Sequence, residues 1–100
     1  MPAAAGAAPD DKRVRAIVHG RVQGVNFRHY ARLEAVARGL KGYVRNRDDG
    51  TVEVLAQGRP GDVDAFLTWL RQGPRLASVS RVEVSLLAPA DGVPSFEVRG

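Results

Sequence analysis

The order in which helical and extended patterns follow one another constrains the fold of this chain most strongly. Two stretches place apolar residues at helical spacing, one at 27–38 and one that begins at Asp62 and stops at Gly73-Pro74. Alternation of apolar and polar residues, which is typical of half-buried strands, predicts strands at 12–19, 41–47, 51–57, 81–86 and 95–99. The order is therefore β-α-β-β-α-β with a short additional strand at the end.

This order is the split βαβ pattern, and it predicts an α+β, ferredoxin-like sandwich with an antiparallel sheet and two helices on one face. Each predicted element has one apolar side, as a two-layer arrangement requires. The apolar residues of the first helix are expected to be Leu33, Val36, Ala37 and Leu40, and those of the second Val63, Phe66, Leu67 and Leu70. The inward-facing strand residues are expected to include Val14, Ala16, Val18, Val82 and Val84.

Local signals define the connections between these elements. Asn26 is expected to cap the first helix with its side chain, and Gly39 suits a left-handed residue just after that helix. The turn signal Asp48-Asp49-Gly50 predicts a hairpin. The second and third strands should therefore be neighbours in the sheet.

Length and composition indicate a single small domain. The 100 residues suffice for one modest core, which we place at 12–100 after a flexible, alanine-rich tail at 1–11. The chain has no cysteine, so it has no disulfide, no thiolate metal site and no cysteine nucleophile. No apolar run approaches the ~20 residues of a membrane span, and the first residues lack the basic leader of a signal peptide. We therefore expect a cytoplasmic protein with no membrane association.

Basic residues are concentrated in one part of the chain. The formal net charge is +4, and between Arg21 and Arg47 the only acidic residue is Glu34. An excess of positive charge indicates an anionic partner, either a nucleic acid or a small phosphorylated compound. Composition alone leaves both possibilities open.

The connection between the first strand and the first helix has the features of an anion site. Gly20 and Gly24 bracket it, and glycine readily adopts the positive φ that a concave loop requires. Several backbone N–H groups then point into one small volume at the start of a helix. Arg28, in the first helical turn, can direct a planar guanidinium into the same volume and bind two oxygens at once. An anion of the size of phosphate fits this description.

Two stretches of the chain resemble the signatures of a known family. Residues 20–28, Gly-Arg-Val-Gln-Gly-Val-Asn-Phe-Arg, are similar to the first signature of the acylphosphatases, and residues 42–52, Gly-Tyr-Val-Arg-Asn-Arg-Asp-Asp-Gly-Thr-Val, are similar to the second. The order of elements also agrees, so the resemblance extends over essentially all of 12–99. It implies hydrolysis of a small-molecule acyl phosphate to a carboxylate and inorganic phosphate, by a monomer without metal or organic cofactor.

The resemblance also implies roles for individual residues. The phosphate is expected to be held by the guanidinium of Arg28 and by the backbone amides of Val22, Gln23, Gly24, Val25, Asn26 and Phe27. Asn46 is expected to orient the attacking water, so Arg28 and Asn46 are the expected catalytic residues. Such a site needs no strong acid, because the carboxylate leaving group has a low pKa and in-line phosphoryl transfer mainly requires positioning and charge stabilisation. For Asn46 to reach the turn, we expect the second strand to run beside the first.

Other interpretations of the same residues have to be weighed. Taken singly, Arg28 could be a surface cation in an ion pair, and Asn46 could be a turn residue. The same element order occurs in RNA-binding domains, and Lys41-Gly42-Tyr43-Val44 resembles the start of an RNA-binding signature. Arg45 and Asp48, however, stand where that signature requires aromatic residues that stack on bases. Nucleic acid is therefore the less favoured partner, and a phosphate-binding module without turnover is a third possibility.

The two histidines and the turn acids are weaker candidates for chemistry. His19 and His29 have no acidic residue at a useful spacing, so we expect structural or solvated roles for both. Asp48 and Asp49 are adjacent but lack further ligands, so no metal site is expected there.

Overall fold

Five strands and two helices make up the part of the chain that the structure describes. The computed structural model describes residue 8 and residues 10–100. Its strands are β1 (Lys12–Arg21), β2 (Lys41–Asn46), β3 (Val52–Gly58), β4 (Ser78–Leu87) and β5 (Glu97–Arg99), and its helices are α1 (Phe27–Ala37) and α2 (Pro60–Gln72). The predicted order of elements is confirmed. Neither of these two helices is long and apolar enough to cross a membrane. The tail predicted at 1–11 lies largely outside the described residues.

The five strands form one sheet in the order β4-β1-β3-β2-β5. Neighbouring strands are antiparallel except β2 and β5, which are parallel. This arrangement confirms the ferredoxin-like α+β prediction and the hairpin of β2 and β3. It corrects the expectation that β2 runs beside β1, because β3 lies between them. The physical reason is the pairing of β3, which follows β2 through the hairpin and whose other edge pairs antiparallel with β1, so that it fills the place between them.

The core lies between one face of the sheet and the two helices. Its largest fully buried side chains are Phe27, Phe66, Leu70, Val14, Val18, Val22, Val44, Val52, Val54 and Val63. The apolar stripe predicted for α2 is confirmed, because its four members are all buried.

The apolar stripe predicted for α1 is wrong. Leu33, Val36 and Ala37 are exposed, the first two at 47% and 50%. The residues that α1 buries are Phe27, Ala31 and Ala35. The two alanines allow the helix backbone to approach the sheet closely, and the bulkier aliphatic residues are left outside. Leu40 is buried as expected, but it follows the helix.

β4 is also less buried than predicted, and its residue Val82 is only half-buried. Val84 was expected to be buried and is 39% exposed. β4 is an edge strand, and only its residues Val79 and Val82 pack against the core. The helix layer therefore ends before it covers the whole of this strand.

Candidate active site

Residues 22–26 form the turn that joins β1 to α1. Gly20 and Gly24 have φ values of 123° and 76°, so the predicted positive φ is confirmed at both. A side chain at position 20 would collide with the carbonyl oxygen of Ser78 on β4, where the pairing of β1 with β4 shifts register. Position 24 has free space around it and requires glycine for its φ alone. The shape of the turn therefore depends on both glycines.

Asn26 precedes α1 but does not cap it with its side chain. Its φ of 60° and ψ of 26° lie in the left-handed region, and its side chain makes no hydrogen bond to the helix. The predicted cap is therefore wrong, because a capping side chain usually reaches the first N–H groups from an extended backbone. The backbone carbonyl of Asn26 accepts the first helical hydrogen bond, from the amide of Tyr30 at 3.2 Å. The carboxamide remains exposed beside the turn.

Asn46 reaches this turn although β3 separates β2 from β1. Val52 of β3 pairs with Val18 of β1 on one side and with Asn46 of β2 on the other. Directly paired residues point to the same face of a sheet, and both valines are fully buried under the helices. The side chain of Asn46 therefore lies on the helix-covered face, at the end of the sheet where β1 leads into the turn.

A pocket of about 420 Å³ lies at this end of the sheet. The predicted site residues that line it are Val22, Gly24, Asn26, Phe27, Arg28 and Asn46. Gln23 and Val25 do not line it: the side chain of Gln23 turns towards the β2–β3 hairpin, and Val25 is buried beside a second cavity. Side chains from the turn, from α1 and from β2 thus meet in one cavity.

The carboxamide oxygen of Asn46 is buried and accepts no hydrogen bond from any described residue. Leaving a buried acceptor unsatisfied costs about 1–3 kcal/mol, and most buried acceptors in proteins have a partner. Asn46 lines the pocket, but this oxygen is closed to solvent, so the carboxamide has to turn before the oxygen can accept a hydrogen bond from a water in the cavity.

The guanidinium of Arg28 is held by the backbone and not by a carboxylate. Its Nη1 donates to the carbonyl oxygen of Arg99 at 2.8 Å, and no described Asp or Glu pairs with it. Val98, the neighbour of Arg99 on β5, lines the same pocket. Sequence reasoning missed this contribution of β5, because a three-residue strand 71 positions away carries no local signal of contact with Arg28.

Gln23 connects the turn to the hairpin that follows Asn46. Its Nε2 donates to the carbonyl oxygens of Arg47 at 2.8 Å and of Thr51 at 2.9 Å. The carbonyl of Thr51 also accepts from the amide of Arg47 at 2.9 Å, which closes the base of the hairpin turn. Sequence reasoning assigned only the backbone amide of Gln23 and missed this side-chain contact.

Comparison with known proteins identifies the family of this chain. A family model described as Acylphosphatase matches residues 14–98. The chain belongs to the acylphosphatase family. Membership confirms the predicted enzyme class, a hydrolase that takes an acyl phosphate as substrate and yields phosphate as product.

Individual acylphosphatases are similar to this chain over most of their length. The enzyme of Thermococcus kodakarensis is 50% identical in an alignment 91 positions long, which covers 89% of this chain and 99% of the relative. That of Pseudomonas paraeruginosa is 51% identical over 86% of this chain and 93% of its own. The crystal structure of the Bacillus subtilis acylphosphatase superposes with a TM-score of 0.85 at 37% identity, covering 89% of this chain and 99% of that one.

The two histidines lie in different surroundings. His19 contacts the carboxylate of Glu83 through Nε2, so the expectation that it lacks an acidic partner is wrong. Glu83 lies 64 positions away on β4, and the pairing of β1 with β4 brings the two residues together. Hydrogen bonds from His19 and Arg81 lower the pKa of Glu83. His29, in contrast, lines the pocket and contacts the ring of Tyr30 edge-on.

The acids of the hairpin turn stabilise the turn itself. Asp49 Oδ1 accepts from the hydroxyl of Thr51 at 2.5 Å and from its amide at 3.0 Å. These bonds, the hydroxyl bond first, lower the pKa of Asp49. Within residues 10–100 no three His, Asp or Glu side chains are grouped so that they could hold a metal ion.

The open face of the sheet offers no free aromatic platform at Tyr43. The guanidinium of Arg99 lies 4.1 Å from the centre of the Tyr43 ring and covers it. Base stacking of the kind that RNA-binding sheets use needs an accessible ring, so this contact disfavours the nucleic-acid interpretation.

Proposed function

We propose that this acylphosphatase holds the phosphate of its substrate with the backbone amides of 22–27 and the guanidinium of Arg28, and that Asn46 orients the attacking water. The observation that carries this proposal is that Gly24, Arg28 and Asn46 line one pocket, although they belong to a turn, a helix and a strand. The proposed substrate class is a small acyl phosphate, and the proposed site uses no metal or organic cofactor.

The features of the turn support its role as a phosphate cradle. Positive φ values at Gly24 and Asn26 curve the backbone just before α1, where free N–H groups and the helix dipole favour an anion. Arg28 adds a planar cation that no carboxylate of the described chain neutralises. Each charge-assisted hydrogen bond contributes roughly 1.5–3 kcal/mol, so two bonds from Arg28 account for much of the affinity.

The orphaned oxygen of Asn46 supports the second role. A carboxamide oxygen can accept a hydrogen bond from water and thereby direct a water lone pair at phosphorus. Asn46 is held on β2 by its pairing with Val52, so its direction is set by the sheet. An amide is too weak a base to remove the proton, and none is needed if the phosphate itself receives it.

The side chain of Gln23 is a positioning group in this scheme. The cradle follows β1 and Asn46 lies on β2, and these two strands are not neighbours in the sheet. A direct contact is therefore needed to fix the distance between the cradle and Asn46. Gln23 provides one, since it belongs to the turn and donates to the carbonyls of Arg47 and Thr51 at the base of the hairpin.

The reaction balances without a further participant. The water oxygen forms a bond to phosphorus while the bond from phosphorus to the acyl oxygen breaks, and the carboxylate leaves with the electron pair. Both protons of the water end on the phosphate, so an acyl phosphate dianion yields one carboxylate and one dihydrogen phosphate. Charge develops on the equatorial phosphate oxygens, which the turn amides and Arg28 face in this scheme.

Steady-state hydrolysis of benzoyl phosphate tests the proposal. We expect turnover that EDTA does not reduce, and competitive inhibition by inorganic phosphate, because product and substrate occupy one cradle. A protein that binds phosphate without hydrolysing benzoyl phosphate is a binding module, and the proposal is then wrong. Noncompetitive inhibition would place phosphate in a different site, and loss of activity in EDTA would contradict a metal-independent mechanism.

A further inference from the structure

A second cavity of about 640 Å³ lies beside the pocket. Its walls come from α1, from α2 and from the connection between α2 and β4, and they are mostly apolar. The apolar residues that line it are Val25, Tyr30, Leu33, Trp69, Pro74 and Leu76. Two charged residues also line it, Arg75 and Glu34, and the carboxylate of Glu34 is paired with Arg38. Leu33 and Leu76 are 47% and 69% exposed, so both present apolar surface to a molecule in this cavity. We call this cavity the apolar groove.

The apolar groove borders the pocket that contains Arg28 and Asn46. Asn26 lines both cavities. Phe27 lines the pocket, and its ring contacts that of Trp69, which lines the groove, at a centroid distance of 5.8 Å. Trp69 is also stacked on Phe66, so this wall is fixed by the core. A molecule bound in the pocket therefore has an apolar surface within reach across Asn26.

The groove and Asn46 lie on different sides of the first turn of α1. Asn46 lines the pocket but not the groove, and the groove is formed by elements on the α2 side of α1. In an in-line displacement the leaving group departs opposite to the attacking water. If Asn46 orients the water, the acyl group leaves on the side of the phosphate that faces Asn26 and the groove.

We propose that the apolar groove receives the acyl group of the substrate, and that the preferred substrates are acyl phosphates with an uncharged aromatic or branched aliphatic acyl group. This inference rests on the proposed function of the pocket. It adds a subsite that selects among acyl phosphates, where the cradle recognises only the phosphate that all of them share.

The carboxamide of Asn26 stands at the boundary between the two cavities. It does not cap the helix, and among the described residues it has no hydrogen-bond partner. Its Nδ2 can donate to the acyl carbonyl or to the carboxylate as that group departs, while the ring or branched chain packs against the groove. The boundary thus combines a donor for the polar end of the acyl group with an apolar surface for the rest.

The test compares benzoyl phosphate with acetyl phosphate in matched variants. Leu33→Gln and Leu76→Ser make the groove polar. Val36→Gln and Leu86→Ser are their controls, because Val36 is also on α1 and 50% exposed, Leu86 is 73% exposed, and neither lines the groove. All four positions are largely exposed, so the fold should tolerate these changes.

We expect kcat/KM for benzoyl phosphate to fall about tenfold or more in each groove variant, while kcat/KM for acetyl phosphate changes less than about twofold. The reason is that an apolar pocket typically discriminates about 10- to 200-fold for each methylene that it binds. Both controls should leave the ratio of the two values unchanged. An unchanged ratio in Leu33→Gln and Leu76→Ser would overturn the proposal, and so would an equal loss for both substrates. Absence of turnover for both substrates in the unaltered enzyme would instead show that the proposed function is wrong.

A binding measurement separates the two failures further. Phenacylphosphonate carries a methylene in place of the bridging oxygen and cannot be hydrolysed. Its addition should shift the NMR signals of the Leu33 and Leu76 methyl groups, whereas inorganic phosphate should not. Shifts confined to the turn would contradict the groove assignment, and methyl shifts that follow protein concentration would show that a second copy of the chain occupies the groove instead.

Discussion

The arginines of this protein lie in two kinds of environment. On the open face of the sheet, Arg15 and Arg45 both donate to the carboxylate of Glu53, which is 3% exposed. At the start of α1, Arg28 donates to a backbone carbonyl and meets no described carboxylate. The first two cations share one carboxylate within the fold, whereas the third has none in the described part of the chain. Among the described residues, Arg32 likewise donates only to a backbone carbonyl, so the lack of a carboxylate does not by itself define an anion site. Arg28 differs because it also lines the pocket beside the turn, and this position, more than the net charge of the chain, indicates where an anion binds.

The carboxylate of Glu53 shows how strong this internal pairing is. Burial alone would raise the pKa of Glu53, but hydrogen bonds from Arg15 and Arg45 outweigh burial, and the pKa lies below its ordinary value. The open face therefore keeps its charges paired, and the contrast with Arg28 can be tested by removing each kind of arginine.

Arg28→Ala is expected to have the largest effect on kcat/KM, and Arg15→Ala is its control. Loss of two charge-assisted bonds to phosphate should lower kcat/KM about 10²- to 10⁴-fold and weaken inhibition by inorganic phosphate. Arg15→Ala removes the same charge from the open face, so it should lower stability and leave kcat/KM within about twofold. Similar kinetic losses in the two variants would mean that general electrostatic attraction, and not the position of Arg28, binds the substrate.

Asn46→Ala should have the next largest effect, and it should separate turnover from binding. We expect kcat for benzoyl phosphate to fall ~10²- to 10³-fold, as on loss of one preorganised contact, with the inhibition constant of phosphate nearly unchanged. Arg28→Ala should alter both quantities, so the pair sharpens the distinction between holding the phosphate and directing the water. An Asn46→Ala enzyme that retained most of its kcat would show that another group orients the water.

Gln23→Met is expected to lower kcat about tenfold. The change removes the two donations to the hairpin, each contributing about 0.5–1.5 kcal/mol, and loosens the distance between cradle and Asn46. The affinity for inorganic phosphate should remain unchanged, because in this scheme the phosphate is bound by backbone amides and Arg28.

Gln57→Met is the matched control for this variant. The carboxamide of Gln57 also makes two hydrogen bonds, both to the backbone of Ala90 at 2.9 Å, at the other end of the sheet. It should lower stability without lowering kcat. Equal kcat values for Gln23→Met and the unaltered enzyme would assign Gln23 a structural role only.

The smallest effect is expected in the stability of the fold in acid, which depends on the ion pairs of Glu53 with Arg15 and Arg45. Because the pKa of Glu53 is lower in the folded than in the unfolded chain, the unfolded chain binds more protons in acid. The ion pairs therefore stabilise the fold fully above about the ordinary pKa of 4.5, and this stabilisation is lost as the pH falls through the folded pKa. Urea unfolding of the Glu53→Gln variant should show a weaker dependence on pH in this acidic range. An identical dependence would show that Glu53 carries no such linkage.

Local patterns in the sequence were sufficient to predict the element order and one of the two helix faces. In α2 the large residues Phe66, Leu67 and Leu70 define a single face, so its burial could be read directly. In α1 the buried face is formed by Ala31 and Ala35, which are small and common on either side of a helix. Their burial follows from close approach to the sheet, which only the tertiary packing determines.

The candidate site shows the same division between local and distant information. Arg28 and Asn46 stand within two continuous signatures, so their importance could be inferred from the sequence. The bond of Gln23 to the hairpin, the carbonyl of Arg99 and the pairing of His19 with Glu83 each depend on strand register between distant segments. No spacing along the chain encodes these contacts.

An NMR titration of the enzyme with inorganic phosphate tests the central claim most directly. The account predicts that the largest shifts occur at the backbone amides of 22–28, the guanidinium of Arg28 and the carboxamide of Asn46, while the guanidinium signals of Arg15 and Arg45 do not move. Largest shifts at those two arginines of the open face, with the turn and Asn46 unperturbed, would contradict it.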